Sequence, residues 1–108
     1  MKTLKDRAKA FEAKFAHDAE MMFRVQSRRN RLLGMWAAGL MGKSGEDAVA
    51  YAREVVRADL AEAGIEGLVR KLTEDLGDRA DEAAIRAQIA ATTDEAKSHV
   101  LDEIEGQR

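Results

Sequence analysis

Apolar residues recur at helical spacing along most of the chain, and glycines divide this pattern into four segments. In the first segment the apolar residues run from Leu4 to Leu40 in steps of three, four or seven, and Arg29 fills the one gap. This spacing is typical of one face of a helix. Glycine between segments favours the left-handed backbone at which helices end. We therefore predict helices over residues 4–41, 45–63, 66–76 and 79–105. In the third helix Leu68, Leu72 and Leu76 are in register on one face, and in the last one the run 92–94 leaves open a kink or split.

Composition favours closely packed helices. The 108 residues include no proline, 20 alanines and only five aromatic residues, so helix formers dominate and the core is thin. Capping-box patterns at Thr3-Leu4-Lys5-Asp6 and Ser44-Gly45-Glu46-Asp47 mark the starts of the first and second helices. The chain is predicted to be all-α, a four-helix bundle with a long first helix.

The length of the first helix predicts a projecting arm. A helix over residues 4–41 measures about 57 Å at 1.5 Å per residue, whereas a compact body of about 90 residues is roughly 30–35 Å long. The N-terminal end would then overhang the bundle, carrying Phe11 and Phe15 one turn apart. We expect residues 1–18 to form a mobile arm that orders in a partner's groove, and residues 19–108 to form the bundle. The alternative is that the arm folds back and both phenylalanines join the core.

Charge is distributed unevenly along the chain. Residues 1–31 carry nine basic and four acidic side chains, giving +5, whereas the remaining residues carry nine basic and sixteen acidic ones, giving −7. This asymmetry indicates a basic element that acts on an acidic surface. Nucleic acid is disfavoured as the partner because the rest of the chain would repel a polyanion.

Few residues carry the chemistry of catalysis or of metal binding. His17 next to Asp18 has no serine at helical spacing, so no catalytic residue is predicted. Glu95, His99 and Glu103 share one helix face, where charge pairing is favoured over a metal site. No cysteine and no apolar window of about 18 residues occur, which excludes disulfides and predicts no direct membrane insertion. A cytoplasmic location is expected.

Two patterns suggest an anion site. Residues 37–44 resemble a P-loop, but that motif joins a strand to a helix, and here only a helix start with Lys43 and Ser44 remains to attract an anion. Arg24, Arg28 and Arg31 share a helix face and need a counter-charge. That charge is either internal or a phosphate ligand stacked on Trp36. Internal candidates are Asp75, Asp78 and Glu82. No cofactor is required, and ADP or ATP is a possible regulatory ligand with these candidate residues: Arg28, Arg31, Trp36 and Lys43.

Two motifs at a fixed separation resemble a known family. The run 6–18 contains Phe-Glu-x-Lys-Phe-Ala, and the run 28–38 contains Arg-Arg-Asn-x-Leu-Leu-Gly-x-Trp-Ala. With Ala50-Tyr51-Ala52-Arg53-Glu54-Val55-Val56 they make the chain similar to the zeta subunit of alphaproteobacterial F-type ATP synthases. The match is looser in the C-terminal third, and Gly39-Leu40-Met41 departs from the family pattern.

The resemblance implies a function for the arm. In that family a mobile N-terminal segment inserts between the catalytic α and β subunits near the central stalk and blocks ATP hydrolysis more than synthesis. By position, residues 1–18 would be that inhibitory segment. Leu4, Phe11 and Phe15 would fill apolar pockets, while Arg7, Lys9 and Lys14 would meet acidic residues. The resemblance also implies ADP or ATP binding by the bundle, and a place at the inner-membrane periphery through the synthase. The alternative is a nucleotide-sensing module that acts through the bundle alone.

Overall fold

The computed structural model describes residues 3–106, and this part of the chain contains five α-helices and no strand. α1 spans Leu4–Phe15, α2 Ala19–Leu40, α3 Gly45–Ala61, α4 Glu66–Leu76 and α5 Glu82–Gly106, with a 3₁₀ turn over Gly77–Arg79. The prediction of an all-α fold is therefore confirmed. Helices α2 to α5 form a four-helix bundle, and α1 packs against α5. The outermost residues of the two predicted domains, 1–2 and 107–108, lie outside the described part.

The prediction of one helix over residues 4–41 is wrong, because the helix breaks at residues 16–18. Asp18 has an extended backbone, and its carboxylate accepts a hydrogen bond from the Met21 amide at 3.1 Å, which starts a new helix there. The break allows α1 to pack against α5, so the longest extent of the molecule is 42 Å and α1 does not project as an overhang. The division into arm and bundle as separate domains stays a prediction.

Two apolar clusters form the core at opposite ends of α2 and α5, which run antiparallel. The larger cluster joins the C-terminal half of α2 to α3, α4 and the start of α5. The smaller one joins α1 to the N-terminal half of α2 and the end of α5. The predicted leucine stripe of α4 is fully buried in the larger cluster, whereas Leu4 and Leu40, at the ends of the predicted first-helix stripe, are exposed.

Glycine permits the closest helix approach in the bundle. A Cβ atom at Gly34 would lie 2.6 Å from the Cα atom of Ala52, so a side chain there would push α2 and α3 apart. The α2–α3 turn uses a second glycine, since Gly42 has a φ of +75°. The predicted capping box at Thr3 is confirmed by reciprocal bonds with Asp6. The one at Ser44 is wrong: its side chain makes no capping bond, and the next residue has a left-handed φ.

α5 is continuous from Glu82 to Gly106, so the split left open by the sequence does not occur. The Thr92 hydroxyl donates to the carbonyl of Gln88, and the Thr93 hydroxyl donates to the carbonyl of Ile89, each at 2.7 Å. Both hydroxyls therefore make their hydrogen bonds within α5. Within the described residues, none of the helices combines the length and hydropathy that crossing a bilayer requires.

Candidate functional site

The predicted arm is docked on the bundle through Phe11. This side chain is fully buried in the smaller cluster, against Val25 of α2 and Val100 and Leu101 of α5. Phe15 is half-buried beside it, with the two ring centroids 5.1 Å apart and the planes tilted by 44°. The prediction of a projecting aromatic face is therefore wrong for this conformation. The break at residues 16–18 allows that face to pack on α5, as in the alternative left open by the sequence.

Polar contacts flank the docked helix on α5. The Nε atom of Arg7 donates to the Ser98 hydroxyl at 2.9 Å, and its guanidinium also pairs with Asp102. On the next turn of α1, the Glu12 carboxylate lies 2.5 Å from the Lys97 ammonium. Since Asp102 and Glu12 are substantially exposed, water screens these pairs, and each adds at most about 1 kcal/mol. Phe11 supplies most of the docking energy.

The six predicted arm residues divide into two groups. Arg7, Phe11 and Phe15 contact the molecule itself, whereas Leu4, Lys9 and Lys14 are exposed. The Lys14 ammonium lies 5.4 Å from the centroid of the Phe15 ring, at the solvent edge of the arm. A partner that meets the docked arm therefore encounters these three side chains together with Lys5, which is also exposed. A partner that takes up Phe11 must first separate α1 from α5.

The arginine cluster of α2 has an internal partner on α5. The Arg24 guanidinium donates to Glu103 at 2.8 Å, and Arg28 donates to the other oxygen of the same carboxylate. The hydrogen bond from Arg28 is the main reason that the pKa of Glu103 lies below its usual value. Internal pairing, one of the two alternatives left open by the sequence, is confirmed for Arg24 and Arg28, but the acid is Glu103, and Arg31 makes no ion pair with any residue from 3 to 106. Two of the acids predicted from the sequence are bound elsewhere: Asp75 by Tyr51 and Lys71, and Glu82 by Arg86.

The four candidate nucleotide-binding residues do not form one cluster. Arg28 and Arg31 line a common shallow groove beside Glu103. Trp36 is half-buried against the larger core cluster, and Lys43 is exposed in the α2–α3 turn. The stretch from Arg28 to the end of α2 covers 12 residues, about 18 Å. ADP or ATP binding by these residues stays a prediction, and titration of ADP into an isotope-labelled sample tests it.

A polar network at the α2–α3 contact was not identified from the sequence. Arg29 is buried, lies 3.3 Å from Asp59 and donates to the Asn30 side chain at 3.0 Å. Asn30 donates in turn to Asp59 at 2.8 Å. Burial lowers the pKa of Arg29, and the charge of Asp59 opposes this effect. The one signal of this network in the sequence was Arg29, a charged residue in the gap of the apolar stripe of the first segment. The network holds α2 to the end of α3, and two of its members, Asn30 and Asp59, line a groove between these helices.

The residues considered for a metal site have other contacts. Glu95 lies 3.8 Å from His99, while Glu103 is held by the arginines of α2. Among residues 3–106, no group of three metal-ligating side chains comes together.

Comparison with known proteins identifies relatives that match most of the chain. A family model described as ATPase inhibitor subunit zeta matches residues 1–99, and so covers the arm and most of the bundle. A structure solved by solution NMR is 46% identical, with a TM-score of 0.72 over 77% of this chain and 98% of its own. No curated protein shows a significant match.

Proposed function

We propose, since the chain belongs to the ATPase inhibitor subunit zeta family, that it restrains ATP hydrolysis by inserting its arm at an α/β catalytic interface of the F-type ATP synthase. Family membership makes the chain a regulatory inhibitor subunit that binds the synthase. The site of insertion, near the central stalk, and the cytoplasmic location at the inner-membrane periphery belong to the proposal.

One observation supports the arm as the inserting element: α1 is a separate helix anchored mainly by a single aromatic side chain. Full burial of Phe11 contributes about 1.5–3 kcal/mol, and its tilted contact with Phe15 adds about 0.5–1.5 kcal/mol. The flanking ion pairs contribute little because they are partly exposed. A helix held by a few kcal/mol detaches in a small fraction of molecules without unfolding the bundle.

On insertion, Phe11 then leaves an apolar groove on the bundle and enters another at the catalytic interface. The docked arm hides Phe11 against α5, and the interface must bind the released arm more tightly than α5 does. Lys9 and Lys14 are exposed on the docked arm, and they guide the released arm to acidic residues of the catalytic subunits. The inserted arm then prevents the closing movement of the catalytic interface that hydrolysis requires. The attraction weakens as salt rises, because these charges lie at the surface.

The test uses the full chain with the arm's exposed charges reversed. Lys9→Glu/Lys14→Glu leaves the buried face of α1 unchanged, so the fold is retained while attraction to an acidic interface is lost. We expect at least a tenfold rise in the concentration that half-inhibits hydrolysis by the cognate F1 complex. The matched control, Arg70→Glu/Arg79→Glu, makes the same change in net charge on α4 and the 3₁₀ turn, away from α1. Equal inhibition by both double variants contradicts insertion of the arm.

A further inference from the structure

The outer face of α2 and α3 is unusually apolar for a surface. Two of its side chains, Phe23 of α2 and Leu60 of α3, are 59% and 71% exposed. They line a groove of about 310 Å³ between the two helices. A second groove of about 610 Å³ lies between Met35 and Val49, which are also exposed. Val56 lines both grooves, so they form one strip, which we call the α2–α3 face.

Three arginines border this face without a counter-charge. Arg31, Arg53 and Arg57 are exposed, line the second groove, and make no ion pair or hydrogen bond with any residue from 3 to 106. The other arginines in this range are all bonded, six to carboxylates and Arg79 to a backbone carbonyl. Those six are Arg7, Arg24, Arg28, Arg29, Arg70 and Arg86.

This arrangement is unfavourable for a surface that stays free. Arg53 and Arg57 are one helical turn apart, and like charges at that spacing repel by a few tenths of a kcal/mol. Apolar side chains beside them, left in water, add to the penalty. An acidic ligand with an apolar side removes both penalties, because its carboxylates pair with the arginines while its apolar residues fill the grooves.

The dimensions of the face indicate what kind of ligand fits. From Val49 to Leu60 the face runs 11 residues along α3, about 16 Å. This length matches three turns of helix, which place apolar residues at positions i, i+3 or i+4, and i+7 along a groove. Gly34 keeps α2 close to α3, so the floor is shallow and the grooves open outward. We infer that the α2–α3 face binds an acidic amphipathic helix of a partner protein.

This inference rests on the proposed function in one respect, namely that the partner is sought in the synthase. The arm and the α2–α3 face then have different tasks: the arm inhibits, and the face holds the bundle on the enzyme. Loss of the face therefore weakens binding without lowering the inhibition reached at saturation, whereas loss of the arm removes inhibition itself.

The experiment measures binding of the full chain to the cognate F1 complex, together with inhibition at saturating concentration. We expect Arg53→Glu/Arg57→Glu to weaken binding at least tenfold, with maximal inhibition unchanged, and Arg53→Lys/Arg57→Lys to stay within threefold of the unaltered chain. The control Arg79→Glu/Arg86→Glu makes the same charge change in the 3₁₀ turn and α5, at residues that line neither groove, and is expected to bind normally. Unaltered affinity of the Arg53→Glu/Arg57→Glu variant overturns the inference. If the unaltered chain neither binds nor inhibits, the proposed function itself fails.

A photo-cross-linking residue at Val49 identifies the occupant. Cross-linking to a helical segment of an F1 subunit rich in Asp and Glu supports the inference. Cross-linking to a second copy of this chain, or no product at all, contradicts it. If ADP binds the unaltered chain through the same two arginines but does not change affinity for F1, the arginines form a nucleotide site and the inference is also wrong.

Discussion

Replacement of Phe11 by alanine tests how α1 is held to the bundle. The side chain is fully buried at the centre of the smaller cluster, and Phe→Ala at such a site removes about 3–5 kcal/mol. What remains is the small buried side chain of Ala8, the half-buried Phe15 ring, the hydrogen bond from Arg7 to Ser98 and the screened ion pairs of Arg7 and Glu12. An isolated helix of 12 residues is marginal in water. We therefore expect α1 to detach while α2 to α5 stay folded.

Native-state hydrogen exchange distinguishes local detachment from general loss of stability. A change of 3–5 kcal/mol corresponds to more than about 100-fold faster exchange, since 1.4 kcal/mol is a factor of ten. We expect this acceleration for the amides of α1 alone, with those around Leu68 and Leu72 in the larger cluster changed only slightly. The matched control is Phe23→Ala, because Phe23 is largely exposed and its loss is expected to change stability by less than about 0.5 kcal/mol.

Either of two results would refute this reasoning. If the amides of α1 exchange at their original rate in Phe11→Ala, then contacts other than the buried ring hold the helix. If exchange accelerates equally throughout the molecule, then α1 belongs to the same cooperative unit as the bundle and does not act as a detachable arm.

Two further predictions concern the bundle. Gly34→Ala is expected to destabilise the protein by about 1–3 kcal/mol in urea unfolding, because the new methyl group meets the backbone of α3. The control is Gly39→Ala, since nothing lies within 4 Å of a Cβ atom there. This substitution is expected to stabilise the protein by up to about 1 kcal/mol through helix propensity. The pKa of Glu103 is lowered on folding, so its contribution to stability is present above its unfolded pKa of about 4.5 and is lost as pH falls through the lower folded value. Accordingly, the stability difference between the unaltered chain and Glu103→Gln is expected to shrink below about pH 4.5 in denaturation series, and a constant difference from pH 6 to pH 3 would contradict the assignment.

Helix positions could be predicted from the sequence because their causes are local. The glycines and the apolar spacing placed α3, α4 and α5 close to their observed bounds, and the leucine register of α4 identified its buried face. The break at residues 16–18 was missed because the apolar steps continue across it at seven residues, from Phe15 to Met22. Its signal was Asp18, a helix-capping residue followed by Glu20 in a first turn.

Contacts between distant segments were harder to predict. The sequence indicated that Arg24 and Arg28 need a counter-charge, but the choice of Glu103 depends on how the antiparallel helices align. The missed break also explains why the burial of Phe11 was not predicted, since the break allows that face to pack on α5. The three unpaired arginines of the α2–α3 face become apparent only when the partners of all the other arginines are known.

The central claim, that α1 must leave α5 to inhibit, is tested most directly by fastening it there. The chain contains no cysteine, so Glu12→Cys/Lys97→Cys creates a unique pair where the two native side chains meet at 2.5 Å. The pair is joined by a short bismaleimide that contains a reducible disulfide, with each single-cysteine variant treated in the same way as a control. We predict at least tenfold weaker inhibition of F1 hydrolysis in the cross-linked state and full recovery after reduction. Undiminished inhibition by the cross-linked protein would contradict the account.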